Sequence, residues 1–265
     1  MVAVPGTQVI GRAAAVLRAV SGSMPRGLGT TAVAAATGLS RPTAHRLLAS
    51  LAAEGFLDHD ALSSRWVPGP ELYLLGAVAA ERYDITSAAR PVVRSLADAT
   101  GESAFLSARR GDETVCLLRE DGAFPIRSHV LYEGIRFPLG VASAGLAILA
   151  FLPEDAVERY LASADLAGFG PAHDVARVRE RVVRTRVTGY AVNPGLLVEG
   201  SWGMGAAVFD ASGQPAWALS LTGIEARFSA ERRPELGRLL LEHAHRLTQH
   251  LRRSSGNGPF PASTP

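Results

Sequence analysis

Apolar positions near the start of the chain repeat with the period of a helix. Val9, Ala13, Val16, Leu17 and Val20 stand at i, i+4, i+7, i+8 and i+11, which predicts a helix over residues 8–20 with one apolar face. Arg12 and Arg18 lie off that stripe, and the Gly- and Pro-containing run 21–27 stops the helix. A short second helix is expected over 31–37, with Thr30 as N-cap and Gly38 just past its end. Leu39 then leads into a third helix, N-capped by Ser40, with Pro42 in its first turn and Gly55 at its end. In this third helix Ala44, Leu47, Leu48 and Leu51 recur at i, i+3, i+4 and i+7 and should turn inward. The opposite face carries Pro42, His45, Arg46, Ala49 and Ser50, with Arg41 and Thr43 in the first turn. The period then shortens: residues 56–59 and 65–67 flank the turn-rich segment 60–64, the pattern of a β-hairpin.

Two short helices around a Gly-containing turn form a helix-turn-helix, and a hairpin directly after the second helix makes a wing. In that arrangement the second helix enters a DNA major groove N-terminus first. Its outward residues are small or hydrogen-bonding, so a base edge can approach. Arg46 suits guanine, Thr43 and Ser50 suit phosphates or bases, and Arg65 suits a phosphate or the minor groove. The candidate interface is Thr30, Ser40, Arg41, Pro42, Thr43, His45, Arg46, Ser50 and Arg65. A plain Ala-rich helical bundle is the competing reading. Charge favours the first: residues 1–70 hold six Arg (Arg12, Arg18, Arg26, Arg41, Arg46, Arg65) against Glu54, Asp58 and Asp60. That is a net of +3, against +2 for the whole chain, so the remainder is slightly acidic.

Past the hairpin the helical period returns. Residues 71–83 place Leu72, Leu75, Val78 and Ala79 on one face and read as a linker helix. Residues 85–99 follow, with Pro91 expected to bend or restart the helix. Strands are expected at 103–109, 113–120 and 126–131, helices at 143–152, 154–162 and 175–187, an apolar hairpin from 202–210 and 215–222, and a closing helix over 229–252. This order suits an α+β domain whose antiparallel sheet is covered by helices. The chain thus divides into 1–70, a linker helix 71–83, a domain 84–253, and a Ser-, Gly- and Pro-rich tail 254–265 expected to be disordered.

Composition narrows the chemistry. Apolar residues make up 47% and charged residues 20%, ordinary for a folded chain, and no run is long and apolar enough to span a membrane. No export signal is read at the N-terminus, so a cytoplasmic location is expected. The lone Cys116 forms no internal disulfide and is expected in the core. Every cation is Arg; without Lys there is neither a Schiff-base lysine nor a phosphate-binding GxxxxGK[ST] loop. No metal is expected: His243 and His250 are two turns apart and His245 lies on another face, so these read as residues of a solvated helix. Gly200 to Gly205, GSWGMG, leads into a strand and is no dinucleotide loop. The Arg-rich stretch from Arg177 to Arg186 reads as the wet face of an amphipathic helix. The loop 138–145 precedes a helix whose free N–H groups attract carboxylate or phosphate; on the residues alone, close packing by small side chains is the preferred reading. An enzyme with an accessory helical domain is the rival class, but no GxSxG, HExxH or CxxC motif supports catalytic residues or a cofactor.

The ordered stretches TTAVAAATGLSRPTAHRLLASLAAEGFL, SRWVPGPELYLLG, ARPVVRSLADATGESAFLSARRGDETVCL, RFPLGVASAGLAILAFLPED and GYAVNPGLLVEGSWGMGAAVFDASGQPAWALSLTG resemble the IclR family of bacterial regulators over about residues 8–252. The resemblance implies an α/β mixed chain: an N-terminal winged helix-turn-helix and a C-terminal GAF-like α+β effector-binding domain. It also implies a homodimer or homotetramer, with the linker helix pairing against another protomer, on a pseudopalindromic double-stranded operator, with repression as the default sign and a small-molecule effector. Family positions that contact small acids match Ser143, Ala144, Asn193, Gly203, Ser220 and Thr222. Departures stand at Asn193, where many members are acidic, at Gly203, where they have Cys, and at Leu146, where they have Lys. Trp202 and Met204 flank the missing Cys side chain, which suggests a larger, more apolar effector, such as an aromatic acid, than a two- or three-carbon acid.

Overall fold

The computed structural model describes residues 8–83 and 85–255, with side chains described for 8–78 and 85–253. The chain divides into two compact units, Met1–Asp84 and Ile85–Pro265.

The first unit begins with α1 (Gln8–Ser21), α2 (Thr30–Thr37) and α3 (Arg41–Ala53). A two-stranded antiparallel hairpin follows, β1 (Leu57–Asp60) and β2 (Arg65–Pro68), and then α4 (Pro70–Tyr83). The core is small and built as the periodicity requires: Val16 and Val20 of α1, Val33 and Ala34 of α2, Ala44 and Leu48 of α3, and Leu57 and Trp66 of the hairpin. Val9, placed on the apolar stripe of α1 by its spacing, is instead exposed. On α4, Tyr73, Leu74, Leu75 and Val78 are all exposed.

The second unit begins with α5 (Ile85–Thr100). Pro91 neither breaks nor restarts this helix; it sits on the exposed side, where a lost backbone bond faces water. Next come β3 (Ser103–Arg110), β4 (Glu113–Glu120), β5 (Arg136–Pro138), α6 (Ser143–Ala150), α7 (Glu154–Ser163) and α8 (Val175–Thr188). The described residues end with β6 (Ala191–Pro194), β7 (Ser201–Phe209), β8 (Pro215–Ile224) and α9 (Arg233–Ser255). The six strands form one antiparallel sheet in the order β5-β4-β3-β8-β7-β6.

Because neighbouring residues of a strand point to opposite faces, the sheet carries two cores. One face packs Leu106, Leu118, Met204, Ala206, Leu219 and Leu221 against α5 and α9. The other receives α6, all of whose residues are buried, and behind it α8 through Val178 and Val182. Gly205 makes this approach possible: a Cβ there would come within 2.6 Å of the Ser143 carbonyl oxygen and 3.0 Å of the Ala144 nitrogen.

Several expectations are corrected. The strand predicted over 126–131 is irregular chain, and β4 pairs instead with the three residues of β5. β6 was not foreseen. The closing helix starts at Arg233 because a short 3-10 turn, Glu225–Phe228, occupies the chain before it. That turn is pinned by buried Glu102, which accepts from Arg227 at 2.8 Å and Arg232 at 2.6 Å. His243 is buried, not solvated: it contacts Ser95 Oγ at 3.2 Å and the Leu239 carbonyl at 2.7 Å. The first two residues of the predicted tail continue α9, and the rest of it, 256–265, lies outside the described residues.

Candidate functional site

The recognition helix is organised at its N-terminus. Ser40 has extended backbone angles (φ −64°, ψ 146°), and its Oγ accepts from the Thr43 N–H at 3.4 Å. The Ser40 hydroxyl also donates to Thr43 Oγ1 at 2.9 Å. Ser40 therefore spends its proton within the helix, while Thr43 keeps its own for an outside acceptor. Ala44 and Leu48 are fully buried and Leu47 and Leu51 half-buried, which turns Arg41, Pro42, His45, Arg46, Ala49 and Ser50 to the exposed side. Neither Arg41 nor Arg46 has a carboxylate partner among the described residues. The face offers uncommitted guanidinium groups in a basic unit, as phosphate and guanine recognition needs.

Two candidate residues have internal duties. Thr30 is the first residue of α2; Gly29, which has no side chain, holds the cap position, so Thr30 is not the N-cap. Its Oγ1 accepts from the Trp66 indole N–H at 3.0 Å. Arg65 donates to the Gly27 carbonyl at 3.0 Å. A backbone bridge between Leu28 and Trp66 runs beside them, so Thr30 and Arg65 anchor the wing to the start of α2.

In the second unit the chemistry gathers at the start of α6. Ala142 occupies its cap position and gives no side-chain hydrogen bond. The first N–H groups of an α-helix lack intrahelical acceptors and carry partial positive charge. Beside them lies a cavity bordered by Val130, Leu131, Ala142, Ser143, Asn193, Leu197, Ser201, Trp202, Gly203 and Thr222. On the same face of the sheet, Gly203 pairs with Thr222 and Gly205 with Ser220. The hydroxyls of Ser220 and Thr222 are buried without any hydrogen-bond partner, a costly state that invites an acceptor or donor from outside the protein.

Five of the eight expected effector residues therefore border one cavity: Ser143, Asn193, Trp202, Gly203 and Thr222. Ala144 is buried in the first turn of α6, and Ser220 lies one pair further along the strands. Met204 faces away. It is adjacent in sequence to Gly203, so the pleat sends it into the core under α5 and α9. Trp202 borders the cavity, but its ring packs against that same opposite core. Asn193 is already engaged: its Nδ2 donates to the Val141 carbonyl at 2.8 Å, and its Oδ1 accepts from the Leu196 N–H at 3.0 Å. It clamps the loop before α6. The side chain missing at Gly203 opens little volume, because a Cβ there would stand 3.1 Å from Ser143 Oγ. The cavity measures about 20 Å³, room for about one water, so a larger ligand must displace part of its wall.

Sequence reasoning missed Val130, Leu131 and Leu197 of that wall, and also His173. His173 is fully buried, with Nε2 3.2 Å from the Val141 carbonyl and Nδ1 2.8 Å from the Phe169 carbonyl. Burial pushes its pKa below the ordinary value. A spacing signal for His173 was absent. Cys116 is buried as expected, and desolvation pushes its thiol up to about 12. Among the described residues no group of three or more His, Cys, Asp or Glu is placed to hold a metal ion, and no helix is long and apolar enough to cross a membrane.

A winged helix-turn-helix joined to an α/β unit with a small cavity of mixed lining is the layout of a transcription regulator with a separate ligand-binding unit. The chain belongs to the IclR family: residues 77–249 match the model for the bacterial transcriptional regulator IclR C-terminal domain, and residues 9–61 match the IclR helix-turn-helix domain. It is similar to the HTH-type transcriptional regulator KipR of Bacillus subtilis (strain 168), 31% identical over 202 residues, 76% of this chain and 80% of that protein. It is also similar to the transcriptional repressor IclR of Escherichia coli (strain K12), 24% identical over 221 residues, 82% of this chain and 81% of that one. Its fold matches the crystal structure of an IclR homologue from Microbacterium hydrocarbonoxydans complexed with 4-hydroxybenzoate, with a TM-score of 0.75 and 21% identity over 92% of this chain and 99% of that one. These relatives are regulators, and this chain is a regulator rather than an enzyme.

Proposed function

We propose that the protein represses transcription by binding a pseudopalindromic operator as a homodimer or homotetramer, and that a small organic acid with an apolar or aromatic body releases it. Arg46 reads a base edge in the major groove; Arg41, Thr43, His45 and Ser50 hold the flanking backbone. Oligomerisation is supported by the exposed Leu74, Leu75 and Val78 of α4, which share one face of the helix, an apolar strip that a second copy would cover. Repression follows the sign printed for the Escherichia coli relative.

The observation that carries the effector reading is the uncapped start of α6 beside the unpartnered Thr222 and Ser220 hydroxyls. The carboxylate would take those N–H groups and hydroxyls. Its body would lie against Val130, Leu131 and Leu197, displacing the irregular segment that carries the first two. The complex of the Microbacterium homologue with an aromatic acid is in keeping with that class. Calorimetric titration of the full chain with benzoate, 4-hydroxybenzoate, pyruvate and glyoxylate tests it. The aromatic acids should bind the more tightly; tighter binding of pyruvate or glyoxylate would overturn the apolar-body assignment.

A further inference from the structure

A second cavity lies apart from the one at α6, between α8, the edge strand β6 and the first turn of α9. It measures about 310 Å³, and its lining includes Arg181, Arg184, Tyr190, Val192, Arg233 and, from the second turn of α6, Leu146. Three guanidinium groups line it and no carboxylate does. Most of the other Arg side chains in the unit find acidic partners, as Arg179 does with Glu158 and Arg186 with Glu154. Arg181, Arg184 and Arg233 form no such pair among the described residues.

Two of the three are held in place with a nitrogen left over. Arg181 donates through Nη2 to the Ala172 carbonyl at 3.0 Å and through Nε to the Arg177 carbonyl at 3.4 Å, while its Nη1 is buried without a partner. Arg233 stacks over the Trp202 ring, 5.3 Å from its centroid, and its Nε is likewise buried without a partner. Arg184 is exposed at the rim. Asp174 and Glu231 exert some attraction on Arg181 and Arg233, but neither lines the cavity. Water could satisfy an N–H, but it would not offset like charges gathered in one recess. An oxyanion would do both, because guanidinium groups bind carboxylate and phosphate through paired, charge-assisted hydrogen bonds. The apolar walls, Leu146, Tyr190, Val192 and Pro194, leave room for an organic body.

We infer that the Arg181–Arg184–Arg233 cavity is a second ligand site, which takes a small organic anion carrying a phosphate or a pair of carboxylates. It is separate from the site at α6, although Trp202 borders that site and lies beneath Arg233 here.

The test is calorimetry and thermal melting of the full chain with inorganic phosphate, phenyl phosphate and succinate, in the wild type and in Arg184→Gln, Arg233→Gln and Thr222→Val. Saturable binding, one anion per chain, is expected, with phenyl phosphate favoured over inorganic phosphate by the apolar walls and succinate distinguishing the carboxylate source. Each arginine variant should weaken it by about tenfold or more, the worth of one charge-assisted hydrogen bond, and Thr222→Val should leave it unchanged. Without anion, Arg184→Gln should melt no lower than wild type, since it relieves repulsion. Three results would overturn the inference: no saturable binding of any probe, equal binding by the arginine variants, or a lower anion-free melting temperature for Arg184→Gln with no loss of binding. A change in oligomeric state in the arginine variants, with all probes inert, would instead assign the cavity to a carboxylate of a second copy.

Discussion

The starts of α3 and α6 are alike in sequence and opposite in design. Both begin beside a serine and neither has an acidic residue in its first turn. At α3 the serine lies before the helix and caps it, so the end is finished internally and the polar face turns outward. At α6 Ser143 is the first helical residue, the cap position is Ala142, and the whole helix is buried. A capped, half-exposed helix is ready to be read by a large polyanion along its side. An uncapped, buried one leaves its N–H groups for a small anion at its tip. The difference teaches that one residue of offset in a serine separates a helix end finished internally from one left open.

The largest effect should come from disturbing the buried helix. Gly205→Ala places a methyl group against the Ser143 carbonyl; denaturant unfolding should show a loss of about 2–3 kcal/mol from overpacking. Next, Arg46→Ala should weaken operator binding roughly 10- to 100-fold, the worth of one bidentate base contact, while the melting temperature stays put, as fluorescence anisotropy and thermal melting would show. Wild-type affinity should also fall steeply with salt, as phosphate contacts require.

How much of this was legible beforehand differs between the same two regions. The first unit was read nearly whole because its helices are amphipathic and its hairpin short: buried Ala44 and Leu48 occupy the positions the 3.6-residue period assigns. The sheet of the second unit was harder. β5 has only three residues and exists because β4 offers it Glu113 to Val115 as partners, a tertiary fact that no local pattern carries. β6 is a four-residue strand ending at a proline, too brief for alternation to declare itself. His243 was misread although the signal was present: it stands seven residues after Leu236 and one before Ala244, on the buried stripe of α9. Met204 was placed in the effector site by adjacency alone, where the two-residue period of a strand excludes it. Of the polar residues at the cavity, Thr222 was reached only through family resemblance, and Ser143 stood in a loop for which close packing was the preferred reading.

Smaller effects sharpen the contrast. Ser40→Ala should cost about 1 kcal/mol, the usual worth of an N-cap, whereas Ala142→Ser should change effector affinity, by supplying internally what the ligand supplies. Two buried histidines should give the second unit a pH response. His173 and His243 are buried, and desolvation lowers both from the ordinary value of 6.5. The unfolded chain therefore takes up protons first as pH falls through 6.5, and stability present above that value declines below it. Chemical denaturation at stepped pH should show this decline, and His173→Gln should reduce it.

The most direct test of the proposed effector site joins both helices in one assay. Anisotropy of a duplex selected from the source genome is measured with wild type and Thr222→Val, with and without a saturating aromatic acid. The acid should release wild type from DNA and leave Thr222→Val bound, the two proteins having equal affinity when no acid is present. Equal release of both would contradict the assignment of the effector to the start of α6.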